Sequence, residues 1–132
     1  MPAQGPTGYA FNRTRTTYLA TELRIARTHW TRFRGLMATD AAQFRSGQGL
    51  WIAPCRGVHT CAMRFPIDVV YLDRERVIVH IEEGLQPWRF AAIRISAASV
   101  LELPQGTVQH TKTALGDQVD IFLERPRHTE AA

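Results

Sequence analysis

Leu19, Thr21, Leu23 and Ile25 alternate with Ala20, Glu22, Arg24 and Ala26, the period of two that a half-buried strand leaves in a sequence. The period then changes. Trp30, Phe33 and Met37 fall on one face at helical spacing behind Thr28, which is placed to cap a short helix. Gly35 inside that stretch costs about 1 kcal/mol relative to Ala and points to a helix end or close backbone packing. A second helical turn is expected over 40–44. Gly47 and Gly49 then open a strand over 50–53, ended by Pro54. Residues 67–73 are apolar on both faces, and Val77, Val79 and Ile81 alternate with Ile78, His80 and Glu82. The turn between these two runs, Asp73-Arg74-Glu75-Arg76, is charged and short enough for a hairpin. Further strands are predicted over 99–103, stopped by Pro104, and over 119–123 behind Gly116 and Asp117. In the last, Val119, Ile121 and Leu123 are expected toward the core and Asp120 and Glu124 toward water.

Six or so short strands with one or two short helices predict an α+β chain built as a small, mostly antiparallel β barrel-like or sandwich domain. The alternation of long helices with parallel strands that Rossmann and (β/α) barrel enzymes require is absent. Residues 1–8, with two Pro and two Gly, read as a flexible lead-in, and 125–132 as a polar tail opened by Pro126. The stretch between, 9–124, reads as one globular domain without internal repeats. A chain of 132 residues buries roughly 65–70% of its unfolded surface, enough for a core without metals or disulfides.

Charge changes this picture little. The net charge of +4 rests on 16 basic residues of which Lys112 is the one lysine. Arg13, Arg15, Arg24, Arg27, Arg32 and Arg34 face only Glu22 in the first quarter, which keeps nucleic acid in view as a partner. No interleaving of aromatic and basic residues of the kind used on single-strand platforms accompanies them, which argues against that partner. Cys55 and Cys61 fit thiols in a reducing compartment better than a secreted disulfide framework. The first ten residues lack a basic and an apolar region, and no run approaches the roughly 20 apolar residues of a membrane span. A soluble cytoplasmic protein is the expectation.

Candidate chemistry gathers in 55–68. Cys55, His59, Cys61 and Met63 are soft ligands at the spacing C-x3-H-x-C-x-M, which is not one of the recurrent zinc patterns and lacks a second paired half. Core packing of both cysteines and Met63 accounts for the same residues, so no metal or cofactor is expected. Asp68 shares a strand face with Val70 and Leu72, so its carboxylate starts on an apolar side and must find a partner or accept a raised pKa. Arg34, His59 and Arg64 are candidate partners; backbone amides near the strand entrance are the alternative. Glu102 lies between Leu101 and Leu103, where a lone Glu on an alternating strand ordinarily faces solvent; turned inward beside Asp68, it would form a carboxylate pair fit for acid–base work. No nucleophile elbow, phosphate loop or H-E-x-x-H motif occurs.

The ordered set Arg34-Gly-Leu-Met37, Gly57-Val-His-Thr60, Met63-Arg-Phe-Pro-Ile-Asp68, Val69-Val-Tyr-Leu-Asp73, Val100-Leu-Glu-Leu-Pro104 and Gly116-Asp117 resembles the prokaryotic domain-of-unknown-function family 192 over residues 17–122. The resemblance implies a compact, mostly β fold with a short helix near its start, and no established activity. Many family members have an aromatic residue between His59 and Met63, where this chain has Thr60-Cys61-Ala62.

The resulting expectation is a small module that binds a small molecule or a protein, with a polar cluster at a pocket rim formed by Arg34, His59, Thr60, Met63, Arg64 and Asp68, and with Glu102 as a further candidate. Competing expectations are an enzyme using Asp68 and Glu102, arginine-mediated nucleic-acid binding, and a structural interaction domain with Trp51, Trp88 and Phe90 in an exposed patch.

Overall fold

The computed structural model describes residues 8–26, 44–55, 65–86 and 93–123. They form seven strands and a short helix: β1 (Gly8–Asn12), β2 (Thr17–Ala26), β3 (Gln48–Ile52), β4 (Ile67–Leu72), β5 (Ile78–Leu85), β6 (Ser99–Pro104), α1 (Thr107–Thr111) and β7 (Val119–Leu123). The strands make one curled sheet in the order β5-β4-β6-β3-β2-β1-β7. All neighbours are antiparallel except β2 and β3, so the sheet is mixed. A parallel pair needs a crossover, and 27–47 supplies its length. The curl brings the two edges together at a single bridge between Val77 and Gln118. The Ile78 amide donates to the Asp117 carbonyl (2.9 Å) and the Val119 amide to the Arg76 carbonyl (2.9 Å). The result is a β-rich half-barrel, as the strand pattern predicts. Among the described residues α1 is the one helix; the helix expected at 28–37 lies outside them, as does the turn expected over 40–44 apart from Phe44, which is not helical.

Two apolar layers hold the sheet. On the inner face, Leu19, Leu23, Trp51, Val70, Leu72, Ile78, Leu101, Leu103, Val108 and Val119 pack together. On the outer face of β3, β6 and β4, a second cluster joins Leu50, Ile52, Ile67, Val69, Tyr71 and Val100 with Phe44, Phe65 and Ala97. Every residue of β4 is buried for this reason, as its run of apolar residues foreshadows. Trp51 is a core residue, with the Arg76 guanidinium 4.6 Å from its ring centroid, while Trp88 and Phe90 lie outside the described residues.

Strand β1 and helix α1 have no counterpart in the sequence pattern. In β1 the buried positions are Gly8, Ala10 and Asn12, and the half-buried ones are Tyr9 and Phe11, the inverse of the usual alternation. Small inward residues let β1 run close to β7; a Cβ on Gly8 would sit 1.9 Å from the Phe122 carbonyl oxygen.

The closed edge is tied by a buried polar knot. The Asp117 carboxylate accepts from Asn12 Nδ2 (3.0 Å), Arg15 Nε (2.9 Å) and the Ala114 amide (2.9 Å). Burial pushes this carboxyl up, but those hydrogen bonds and the Arg15 charge outweigh it and hold it below its ordinary value. A depressed acid contributes stability that is present above the unfolded pKa and lost as pH falls through the folded one. Asp117→Ala is therefore expected to destabilise the domain by about 2–3 kcal/mol at neutral pH, measured by urea unfolding, with the difference shrinking below pH 4. An equal loss at all pH values would show that the carboxylate charge is not what holds the knot.

Candidate functional site

Asp68 has partners among the described residues. It is buried on the inner face, and its carboxylate accepts from three backbone amides: Gly84 on Oδ1 (2.9 Å), and Gly106 (3.1 Å) and Val108 (2.9 Å) on Oδ2. The last two belong to the first turn of α1, whose N-cap Gly106 lies at φ 94° and supplies no side-chain cap of its own. Asp68 thus caps a helix from 40 residues away, which no local sequence signal reveals. These amides are its partners among the described residues; Arg34, His59 and Arg64 lie outside them, as do Thr60, Cys61 and Met63.

Glu102 departs from its expected solvent-facing position. It is only 4% exposed, because β6 lies between β3 and β4 and both of its faces are covered. It pairs with Leu50 on one side and Val69 on the other, both members of the outer-face cluster. The charged positions in the same cross-strand row, Glu82 and Arg24, are two strands away, roughly 10 Å. Among the described residues its Oε1 has no hydrogen-bond partner, and burial pushes its carboxyl up to about 7.

The strand register also separates the two carboxylates. Asp68 pairs with Leu103 and Val69 with Glu102. Cross-strand partners share a face, so Asp68 points to the inner layer and Glu102 to the outer one. This geometry does not form the carboxylate pair that an enzyme using both would need.

The arginine and soft-ligand readings meet comparable geometry. Arg13 is ion-paired with Asp120, and Arg15 with Asp117, so two of the three N-terminal arginines among the described residues are already partnered by acids. Cys55 packs against the outer-face cluster, and no group of three metal-binding side chains occurs among the described residues.

What Asp68 positions is a groove. The turn and helix it anchors, 104–111, face the start of β2 (17–21) and the turn at Ser46 and Gly47 across an open cavity of about 580 Å3. That is within the range of small-molecule sites. Every wall is fixed to the sheet. The Thr21 and Glu22 amides donate to the Gly47 carbonyl (2.7 and 2.9 Å), and the Thr107 hydroxyl donates to the Pro104 carbonyl (2.7 Å). Gly47 adopts φ 94° to make its turn, which a residue with a Cβ adopts only under strain. Tyr18 begins this wall, half exposed, with its ring turned to the outward face of β2, edge-on to Phe11 (4.9 Å) and Tyr9 (5.6 Å). A larger open groove of about 770 Å3 runs past Pro54, Cys55 and 73–75, but there the Asp73 carboxylate is committed to the Glu75 and Val77 amides.

Sequence reasoning missed Thr17, Tyr18, Thr21, Ser46, Gln105 and His110 as groove residues. They come from three separate stretches and share no motif. The one available signal was Asp68 itself, an acid on an apolar strand face.

The sequence and the fold also place the chain among known proteins. It is 30% identical over 121 residues to a UPF0127 protein from Thermococcus sibiricus, covering 88% of this chain and 76% of that one. A UPF0127 protein from Pyrococcus furiosus is 28% identical over 116 residues, 83% and 94% of the two chains. A solved structure from Sinorhizobium meliloti 1021, described provisionally as a transcription regulator, superposes with a TM-score of 0.76 over 92% of this chain and 96% of that one. A protein of unknown function from Novosphingobium aromaticivorans does so with a TM-score of 0.71 over 87% and 83%. At 23% and 17% identity these two carry the fold alone. The model of the DUF192 family, described as an uncharacterised ACR, matches residues 10–121, and the chain belongs to that family.

Proposed function

We propose that this chain is a small-ligand-binding domain of the cytoplasm, with the groove between β2 and α1 as its site. The observation that supports this reading most directly is the Asp68 anchor. A buried carboxylate on an apolar sheet face is expensive unless fully hydrogen-bonded, and here its bonds go to the turn and helix that wall the groove. Binding sites work best when their walls are held by such supporting contacts. The cytoplasmic assignment is supported by the composition, since a chain of this length with two cysteines builds its core without a disulfide framework.

The test is a thermal-shift screen of a metabolite library on wild type and Ser46→Trp in parallel. Ser46 is an exposed turn residue on the groove wall, so the indole fills the cavity and leaves the core untouched. A true ligand raises stability by about 2.7 kcal/mol at a hundredfold excess over its dissociation constant. The reading predicts hits in wild type that Ser46→Trp loses. Hits of equal size in both proteins would move the site elsewhere.

A further inference from the structure

We infer that the groove takes a neutral, polyhydroxylated ligand of the saccharide or polyol class; the inference rests on the groove being the binding site. The first ground is charge. In a chain with 21% charged residues, no Asp, Glu, Lys or Arg lines this cavity among the described residues. A ligand whose recognition depends on a phosphate or carboxylate would need a guanidinium, an ammonium or free helix-end amides.

Two of those amides are already used. Gly106 and Val108 at the start of α1 donate to the Asp68 carboxylate, which offsets the partial positive charge there. An anion approaching this end would find the donors turned inward onto a negative group.

The groups that remain match hydroxyls in both directions. Ser46 and Thr17 offer hydroxyls that donate and accept, and His110 an imidazole. The Thr107 hydroxyl spends its proton on the Pro104 carbonyl and keeps lone pairs for a donor. A polyol, whose every hydroxyl both donates and accepts, is the small-molecule class that fits such an alternation. Neutral hydrogen bonds are individually weak, so the dissociation constant is expected on the order of millimolar.

The experiment is an amide NMR titration of the whole chain with maltotriose, triacetylchitotriose and glycerol on one side, and inorganic phosphate and adenosine monophosphate on the other. At least one neutral probe is expected to shift the amides of 17–21, 46–47 and 105–111, and Ser46→Trp to weaken it tenfold or more. Phosphate or adenosine monophosphate shifting these amides while the neutral probes do not would overturn the ligand class and leave the groove as the site. No shift from any probe would overturn the class and count against the groove as well.

Discussion

Replacing Glu102 with Leu is expected to raise the stability of the domain by about 3 kcal/mol at pH 8. The carboxyl lies between Leu50 and Val69 in the outer apolar layer, and burial moves its pKa from 4.5 to about 7. Each unit of difference between the folded and unfolded states is worth about 1.4 kcal/mol. Between these two values the folded state holds a proton that the unfolded state releases, so wild-type stability falls as pH rises from about 4.5 to about 7 and stays low above it. Leu at this position removes the charge and adds apolar contact, and replacing buried charged groups by apolar residues commonly stabilises by 1–4 kcal/mol. Glu102→Gln isolates the ionisation and should flatten the decline between pH 5 and 7. Urea unfolding of the three proteins from pH 4 to pH 8 measures both effects. A Leu variant less stable than wild type at pH 8 would mean that a cation holds the carboxylate and that its burial carries no net cost. Asp117 acts in the opposite sense, with its contribution lost at low pH, so the two carboxyls together place the stability maximum at about pH 4–4.5.

The second large effect is expected at Asp68. Removing the carboxylate in Asp68→Ala strands three amide donors, one of them, on Val108, in a fully buried bond. Hydrogen bonds to a charged acceptor contribute about 1.5–3 kcal/mol each and do not add in full, so a loss of about 3–4 kcal/mol is expected. For a domain of this size that lowers Tm by roughly 10 °C. Asp68→Asn should lose nearly as much, because its NH2 must face an amide N–H where a carboxylate oxygen was. The damage should be uneven. Hydrogen exchange should quicken most in 105–111, where Asp68 caps α1, and least in β3 and the centre of β6. Exchange that quickens uniformly would show that Asp68 supports the whole sheet and not the groove wall.

Much of the strand pattern was legible because a strand writes its faces into alternate residues. Leu19, Leu23 and Ile25 in β2, the two-sided run of β4 and the Val119, Ile121, Leu123 stripe in β7 appear where the alternation places them, but Thr21 is exposed and Ala20 buried because the register of β2 shifts there. Strand β1 was hidden because its inward positions are Gly8, Ala10 and Asn12, chosen for close approach and for the Asp117 knot. Helix α1 was hidden because five residues hold no helical period and its cap comes from another strand.

The sequence by itself determined the positions of β2 to β7 and the family, since these depend on local alternation and on motifs in a set order. The tertiary structure alone decided what the polar residues do. Whether Glu102 meets water depends on which strands flank β6, and that pairing joins residues from 48 to 104 that no local rule connects. Whether Asp68 and Glu102 can act together depends on register, and one residue of offset between β4 and β6 puts them on opposite faces of the sheet. The groove exists only because the curl of the sheet brings 17–21, 46–47 and 104–111 to one end, a closure set by long-range packing and not by the chemistry of any one segment.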